Sequence, residues 1–448
     1  MDSNRSQRIL QNITWQAYQA IQRNDLNRQQ IDSLQLCKLR ELLIFVQQHS
    51  PRYRKSLASL SLNELTFEQF QNEVKPINKA DFVCDWDQIV TDPGLRKSEV
   101  EAYVNNENPT SSDYLYKDCY HVISTSGSTG ISGLFLYTDD EWSNYCSQFH
   151  RHHGEIFTSR PRIAHLSVRS RLFAMPRHMY SVATPGIVDL ELDSSDSDQY
   201  IIEQLNSFQP QLLVTIPSIL HKLSCWQFEK KLFIKPQQIK VGAEPLSQIL
   251  RENVRHNWPS TSLINTYAGS EGFAALSCKH NTNLMHFNED YCYVEDNPNG
   301  GLLVTNLFAR TVPVIRLEID DNVAFEQNTP CPYCGTAYRT ICEPQGRLRD
   351  DFLYSNGVEV SSLQLTKVMN QFPQVLEFQI YQSNCGIKVY IHSGSDVLPD
   401  LKVRLQNVLL SAGLSNPQVD VMKKTQLLRQ RSGKLRHFYA LNNSVTSL

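Results

Sequence analysis

Leu212-Leu213-Val214-Thr215-Ile216 is a short apolar run cut off by Pro217-Ser218, after which a helical pattern begins at Ile219. The same unit returns. Ile239-Lys240-Val241 ends in the turn Gly242-Ala243-Glu244-Pro245 and gives way to a helix with Leu246, Ile249 and Leu250 on one face, and Leu263-Ile264-Asn265-Thr266-Tyr267 makes a third run. Short apolar runs bounded by Pro or Gly read as buried strands, and apolar residues three and four apart read as a helix face. This strand–turn–helix rhythm predicts an α/β fold. In such sheets ligands gather in the crevice at the carboxyl ends of the strands.

Upstream, the first hundred-odd residues read as mostly helical. Leu39, Leu42, Leu43 and Val46 share a helix face, and Thr66-Phe67-Glu68-Gln69 reads as a capping box. A polar loop is expected over 105–113. Downstream, Phe378 and Ile380, then Ile387, Val389 and Ile391, alternate around Ser383-Asn384-Cys385-Gly386 as in a hairpin. Leu401, Leu405 and Val408 line a helix that stops at Gly413, and a basic tail covers 423–436. The last hundred residues thus read as a small α+β unit of their own.

The 448 residues are 41% hydrophobic and 20% charged, the balance of a folded globular chain rather than a disordered one. Lys+Arg 43 against Asp+Glu 46 leaves a net charge of −3, which argues against a nucleic-acid binder working through a global positive field. The longest apolar runs, such as Leu42-Leu43-Ile44-Phe45-Val46, fall far short of a membrane span, and the first residues lack the layout of a secretory signal. A cytoplasmic protein is expected. Eleven scattered cysteines are odd in number and do not form a secreted disulfide framework, so most are expected to be reduced and buried.

Ser124-Thr125-Ser126-Gly127-Ser128-Thr129-Gly130-Ile131-Ser132-Gly133 stands between the apolar runs 120–123 and 134–137. Its glycines let backbone approach a ligand, and its hydroxyls add donors, a combination suited to polyphosphate oxygens. A plain flexible linker is the competing reading. The loop lacks the Gly-Lys-[Ser/Thr] ending of a P-loop kinase or NTPase.

The loop resembles the phosphate-binding motif of adenylate-forming enzymes, the acyl/aryl-CoA ligase superfamily, in its phenylacetate–CoA ligase and coenzyme F390 synthetase-like (CapK-like) branch. Further matches follow in the family's order. Gly242-Ala243-Glu244-Pro245 resembles the adenine-flanking turn, and Tyr267-Ala268-Gly269-Ser270-Glu271 resembles the Tyr-Gly-x-Ser/Thr-Glu motif. Pro313-Val314-Ile315-Arg316 leading to Asp321 resembles the ribose-binding segment, Gly346-Arg347-Leu348-Arg349-Asp350-Asp351 the hinge, and Ser432-Gly433-Lys434 the lysine loop. At the front, Ser50-Pro51-Arg52-Tyr53-Arg54 and Pro76-Ile77-Asn78-Lys79-Ala80-Asp81 are also similar, so the likeness spans about residues 39 to 440.

The resemblance implies a large, multi-subdomain amino-terminal adenylate-forming domain over 1–347, binding ATP and an acid, and a small mobile α+β lid domain over 348–448. It implies attack of a carboxylate on the α-phosphate of ATP, loss of pyrophosphate, and transfer of the acyl group to a second nucleophile. Charge accumulating on phosphate oxygens calls for a cation clamp, backbone donors and in-line positioning. Glu271 suits Mg²⁺ as a hard oxygen ligand. Ser270 is placed to touch the α-phosphate, Tyr267 offers a face to adenine, and Asp321, with Asp320 as competitor, offers both carboxylate oxygens to the ribose. Arg347 suits a phosphate or ribose oxygen. Lys434 would reach the α-phosphate and carboxylate. Asp350 would be the pivot on which Lys434 leaves and the segment 353–360 enters.

The chain departs from the pattern in places. The loop carries no Pro-Lys ending, Ala268 stands for a glycine, and Leu317-Glu318-Ile319-Asp320 replaces a Tyr-Arg-Thr-Gly-like stretch. Gly357-Val358-Glu359-Val360-Ser361-Ser362 lacks the Asn and Phe-Pro of the branch, which weakens the case for a CoA tunnel. The acceptor therefore stays open among CoA, an amine, a hydroxyl and a carrier-protein thiol, and a non-catalytic nucleotide-binding relative is the rival from another class. A homodimer is the branch's habit.

Cys331-Pro332-Tyr333-Cys334 has metal-ligand spacing. With Cys278 and His286, or His280 in its place, it would close a tetrahedral structural Zn²⁺ site, and F390 synthetase-like relatives carry a similar pattern. His150-Arg151-His152-His153 reads as a solvated helix end. Arg169 and Arg171 in Ser167-Val168-Arg169-Ser170-Arg171-Leu172-Phe173-Ala174-Met175 are either acid-pocket residues or surface ones.

Overall fold

The computed structural model describes all residues except 1–2, 106–114, 126–132, 152–160, 169, 171, 177–188, 327–329, 345–346, 348–349, 373, 394–397, 431–434 and 442–448. Helices α1 (Ser3–Gln22), α2 (Arg28–His49), α3 (Pro51–Ser56), α4 (Phe67–Glu73), α5 (Lys79–Cys84), α6 (Trp86–Ile89) and α7 (Lys97–Val104) open the chain. Asn27 and Thr66 close capping boxes with Gln30 and Gln69, pairing amides that the first helical turn leaves free. α2 buries Ile31, Leu39, Leu42, Leu43 and Val46, the stripe their spacing predicts. Charge fastens this layer as well. The Glu289 and Asp290 carboxylates are fully buried; Arg28 and Arg339 pair with the first, Arg23 and Arg151 with the second. Buried carboxylates persist only with such partners.

A hairpin of β1 (His121–Ser124) and β2 (Leu134–Tyr137) sets Ser124 opposite Leu134, and α8 (Asp139–Ser147) follows. β3 (Ile163–Ser167), β4 (Asp189–Asp193), β5 (Leu212–Thr215), β6 (Gln238–Gly242) and β7 (Ser262–Ala268) then run parallel in the order β4-β3-β5-β6-β7. Parallel neighbours need crossovers. α9 (Asp198–Phe208), α10 (Pro217–Phe228) and α11 (Gln248–Asn257) supply those from β4 to β5, β5 to β6 and β6 to β7. α10 starts at Pro217, two residues before Ile219, because proline at the first helical position gives up only an amide that has no partner there.

β8 (Ala274–Ser277) and β9 (Leu284–Phe287) extend the sheet antiparallel beyond β7. β10 (Cys292–Asp296), β11 (Leu302–Asn306) and β12 (Leu317–Ile319) form a separate sheet, and β13 (Thr340–Cys342) returns to pair with β9 at the edge of the large one. Among the described residues no helix is long and apolar enough to cross a membrane. The fold class is α/β, as predicted.

The carboxyl-terminal part holds β14 (Phe352–Leu353), β15 (Glu359–Val360), α12 (Ser362–Met369), the hairpin β16 (Val375–Ser383) and β17 (Gly386–Ser393), α13 (Leu398–Ser411), β18 (Gln418–Lys423) and β19 (Phe438–Tyr439). Its four-stranded sheet runs β18-β17-β16-β19 and shares a core of Ile380, Ile387, Val389, Ile391, Leu401, Leu405 and Leu409. The basic stretch is not a tail. Arg429 bridges Leu435, and Phe438 and Tyr439 pair parallel with Ile380 and Tyr381. All eleven cysteines are thiols, but only Cys146, Cys278, Cys292 and Cys331 are buried, fewer than expected.

Candidate functional site

β6 and β7 end side by side, with Gly242 in register with Thr266. A Cβ at 242 would lie 2.8 Å from the Thr266 carbonyl oxygen, so only glycine lets the strand ends pack. Ala243 takes φ of +72°, a left-handed conformation costly for a residue with a side chain. Glu244 then accepts at Oε2 from the Ser218 amide at 2.9 Å, where α10 starts, and at Oε1 from the Leu435 amide at 3.0 Å. One carboxylate thus ties the large sheet to the residue that follows Lys434. Pro245 is exposed.

β7 ends in Tyr267-Ala268, and Gly269-Ser270-Glu271-Gly272 turns into β8. Every carbonyl of this turn is held. Tyr145 and Tyr137 donate to those of Gly269 (3.3 Å) and Ser270 (2.6 Å), Asn306 to that of Glu271 (3.0 Å), and Gln148 to that of Gly272 (3.3 Å). Sequence reasoning missed all four side chains. They come from β2, α8, β11 and the turn after α8, and no local spacing marks them. Glu271 is buried, and its carboxylate packs where a Cβ on Gly269 would stand.

Beside the turn, the Tyr267 hydroxyl donates to Asp321 Oδ2 at 2.8 Å, and Arg347 Nε donates to Asp321 Oδ1 at 3.3 Å. Asp321, not Asp320, makes both bonds, and its backbone bridges that of Arg347. Burial and the Asp321 carboxylate push the Tyr267 phenol well above its usual range. Burial opposes the Arg347 charge, yet Asp321 and Asp350 hold its pKa above the ordinary arginine value. The Asp350 amide donates to the Arg347 carbonyl at 3.1 Å, and burial raises the Asp350 carboxyl above its usual range against the pull of Arg347 and Arg436. Arg316 serves the fold: it pairs with the buried Glu295 at 3.0 Å and caps the carbonyls of Gln71 and Val74.

At the glycine-rich stretch, Ser124 is buried at the end of β1, and Thr125 and Gly133 pair across the hairpin through Thr125 N to Gly133 O at 3.0 Å. Thr125 Oγ1 accepts from the Gly133 amide at 2.7 Å and from Lys79 Nζ at 3.4 Å. Lys79 is at the first position of α5, in the Pro76–Asp81 stretch that the sequence matched without assigning it a role. Ser126, Gly127, Ser128, Thr129 and Gly130 lie outside the described residues, as do Lys434, Arg169 and Arg171.

Cys278, His286, Cys331 and Cys334 converge, their ligand atoms all within 4.8 Å of one another. Cys334 Sγ is 3.4 Å from His286 Nε2, and His286 Nδ1 meets the Thr340 hydroxyl at 3.1 Å, which fixes the ring with Nε2 toward the thiols. Burial lowers the imidazole pKa to about 4, so the ring is neutral as a ligand must be. His280 is exposed and outside the set. The Cys331 carbonyl accepts from Gly335, whose φ of +74° closes the knuckle turn. Three thiols and an imidazole are the donor set that tetrahedral zinc takes.

His150 and Arg151 are buried, contrary to the solvated helix end expected, because Arg151 reaches Asp290 and the Ala20 carbonyl. His152 and His153 lie outside the described residues.

A search of solved structures finds 2-hydroxyisobutyryl-CoA ligase in the postadenylation state, in complex with R3-HIB-AMP, at a TM-score of 0.69 and 16% identity, covering 94% of this chain and 91% of that one. The chain has the fold of the adenylate-forming ligases. The adenylate-forming fold is matched again by the same protein in the thioesterification state with 2-HIB-AMP and CoA, at 0.55 and 16% identity, over 93% of this chain and 91% of that one. Among curated proteins, Protein CapK of Staphylococcus aureus is 23% identical over 372 residues, 77% of this chain and 81% of that protein. No family model matches the chain.

Proposed function

We propose that the protein is an AMP-forming ligase of the CapK-like branch, which activates a small carboxylic acid with ATP–Mg²⁺ and passes the acyl group to CoA. The observation that carries this reading is the cluster at the carboxyl ends of β6 and β7: Tyr267, Asp321 and Arg347 in one bonded set beside the buried Glu271 turn, in a chain with this fold. Asp321 accepts the ribose hydroxyls, Tyr267 and Arg347 orient its carboxylate, and the Gly242–Pro245 turn flanks the adenine. Glu271 holds Mg²⁺, Ser270 and the 124–130 loop donate to phosphate oxygens, and Lys434 neutralises charge at the α-phosphate. Oxygen ligands suit Mg²⁺, and fixed donors aimed at developing charge lower the barrier without reorganising.

Residues 1–347 form the body and 348–448 a lid that pivots at Asp350. The two fits to 2-hydroxyisobutyryl-CoA ligase, 0.69 in the postadenylation state and 0.55 in the thioesterification state, support a lid held here nearer the postadenylation arrangement, since the neighbour's sequence is constant and its conformation differs. A free amine or a carrier-protein thiol is the second reading for the acceptor, favoured by the altered 357–362 segment. Incubation with ATP, acid and each acceptor in turn separates the two. The CoA reading expects acyl-CoA as the fastest product, and an amide formed without CoA turnover would replace it.

Lys79 supplies the cation that the glycine-rich loop lacks in its own sequence. Lys79→Met should raise the KM for ATP about 10–100-fold, the scale of a lost charge-assisted hydrogen bond, with Lys79→Arg recovering most of it. An unchanged KM would confine Lys79 to a structural contact.

Cys278, His286, Cys331 and Cys334 hold a structural Zn²⁺ that staples the 331–334 knuckle to β9. Elemental analysis should give one zinc per chain. Cys331→Ser should weaken metal binding by more than the ~10–100-fold that outer-sphere changes cost, and lower the melting temperature. Metal-free protein with wild-type stability would remove zinc from the account.

A further inference from the structure

The amino ends of β6 and β7 lie at the opposite edge of the sheet from the Glu271 turn, and a cavity of about 440 Å³ opens there. Its wall combines Arg251 and Arg255 of α11 with Lys279, and the hydroxyls of Thr261, Ser262 and Ser277 stand among them. Among the described residues, none in the lining is acidic. Arg251 is 2% exposed, with Nη2 paired to Glu343. Its Nη1 has no hydrogen-bond acceptor among the described residues, and neither has the Gln238 amide a donor at Oε1. A buried guanidinium with an uncommitted N–H is costly unless an acceptor reaches it. Glu343 is already shared, taking a second bond from Asn265 Nδ2 at 2.6 Å. The wall therefore carries three cations, of which Arg251 is paired to Glu343.

The space is larger than an inorganic ion needs and lies in the range of small-molecule sites. Val254, Leu263 and Ile264 supply an apolar side to it. We infer that this cavity binds a small organic oxyanion, a phosphomonoester or a dicarboxylate, with its charged end among Arg251, Arg255 and Lys279. The hydroxyls of Ser262 and Ser277 complete the oxyanion's hydrogen bonds, Thr261 giving its own to the Pro236 carbonyl, and the apolar side takes the body of the ligand. The site is separate from the proposed ATP site and does not depend on that reading.

Isothermal titration of the full chain at about 0.15 M salt with phenyl phosphate, and separately with succinate, tests the inference, since exposed charge alone is largely screened there. At least one of the two should bind saturably. Arg255→Glu with Lys279→Glu, both exposed and so expected to melt at the wild-type temperature, should weaken that binding at least tenfold. Repeating the titration with ATP–Mg²⁺ present should leave it unchanged. No binding of either compound would overturn the inference, and so would affinity that survives the double substitution or is abolished by ATP.

Discussion

Glu271→Gln should lower acid-dependent ATP–pyrophosphate exchange by about 10²–10³-fold, the scale seen when one preorganised charge-stabilising group is removed. The glutamine is isosteric, so the turn and its four carbonyl bonds stay in place; what is lost is the negative charge proposed to hold Mg²⁺ against the phosphates. Raised Mg²⁺ should recover part of the rate. Neighbouring Gly269→Ala should do comparable harm for a different reason, since its methyl group would occupy the space of the Glu271 carboxylate and the Phe273 ring. Exchange by Glu271→Gln at the wild-type rate and the same Mg²⁺ dependence would take Glu271 out of the metal site.

Lys434→Ala should split the two half-reactions. Adenylation should fall by about 10²–10³-fold, because the ammonium is asked to neutralise charge that appears only as pyrophosphate leaves. Acyl transfer from supplied acyl-AMP should stay near the wild-type rate, since the pivot at Asp350 would have carried Lys434 out of the site by then. The bond from the Leu435 amide to Glu244 holds the residue after Lys434 at the Gly242–Pro245 turn, which is proposed to flank the adenine. Glu244→Gln, which keeps an acceptor but loses the charge facing Arg429, should weaken adenylation far less than Lys434→Ala. Equal losses in both half-reactions would point to a lid that has unfolded rather than lost its cation.

Strands β5, β6 and β7 were legible because they are short apolar runs bounded by Pro or Gly, and the Thr66 capping box because its four-residue spacing is local. β19 was not legible: two residues just past a basic stretch carry no period, and their pairing with Ile380 and Tyr381 is set by a core some sixty residues back. His150 and Arg151 were misread for a similar reason. Consecutive polar residues look solvated until Asp290, 139 residues away, is brought to Arg151. The metal set was readable down to one choice. Pairing of β9 with β13 sets His286 opposite Thr340 and turns it to the thiols, while His280 falls on the exposed connection before β9. Tyr267, Asp321 and Arg347, proposed to serve the nucleotide, were picked out through motifs in order, and the fold brings them together. Tyr137, Tyr145, Gln148 and Asn306, which fix the Glu271 turn, stayed hidden because each is an ordinary residue on a distant element.

In the proposed reaction a carboxylate attacks the α-phosphate of ATP and pyrophosphate leaves. Exchange of labelled pyrophosphate into ATP, run on the wild-type chain across a panel of aryl, hydroxy and short aliphatic acids, measures that step without reference to the acceptor. The account predicts exchange that depends on both the acid and Mg²⁺ and is lost in Glu271→Gln. If ATP binds to the chain and yet no acid in the panel supports exchange, the site holds a nucleotide for some purpose other than making an acyl-adenylate.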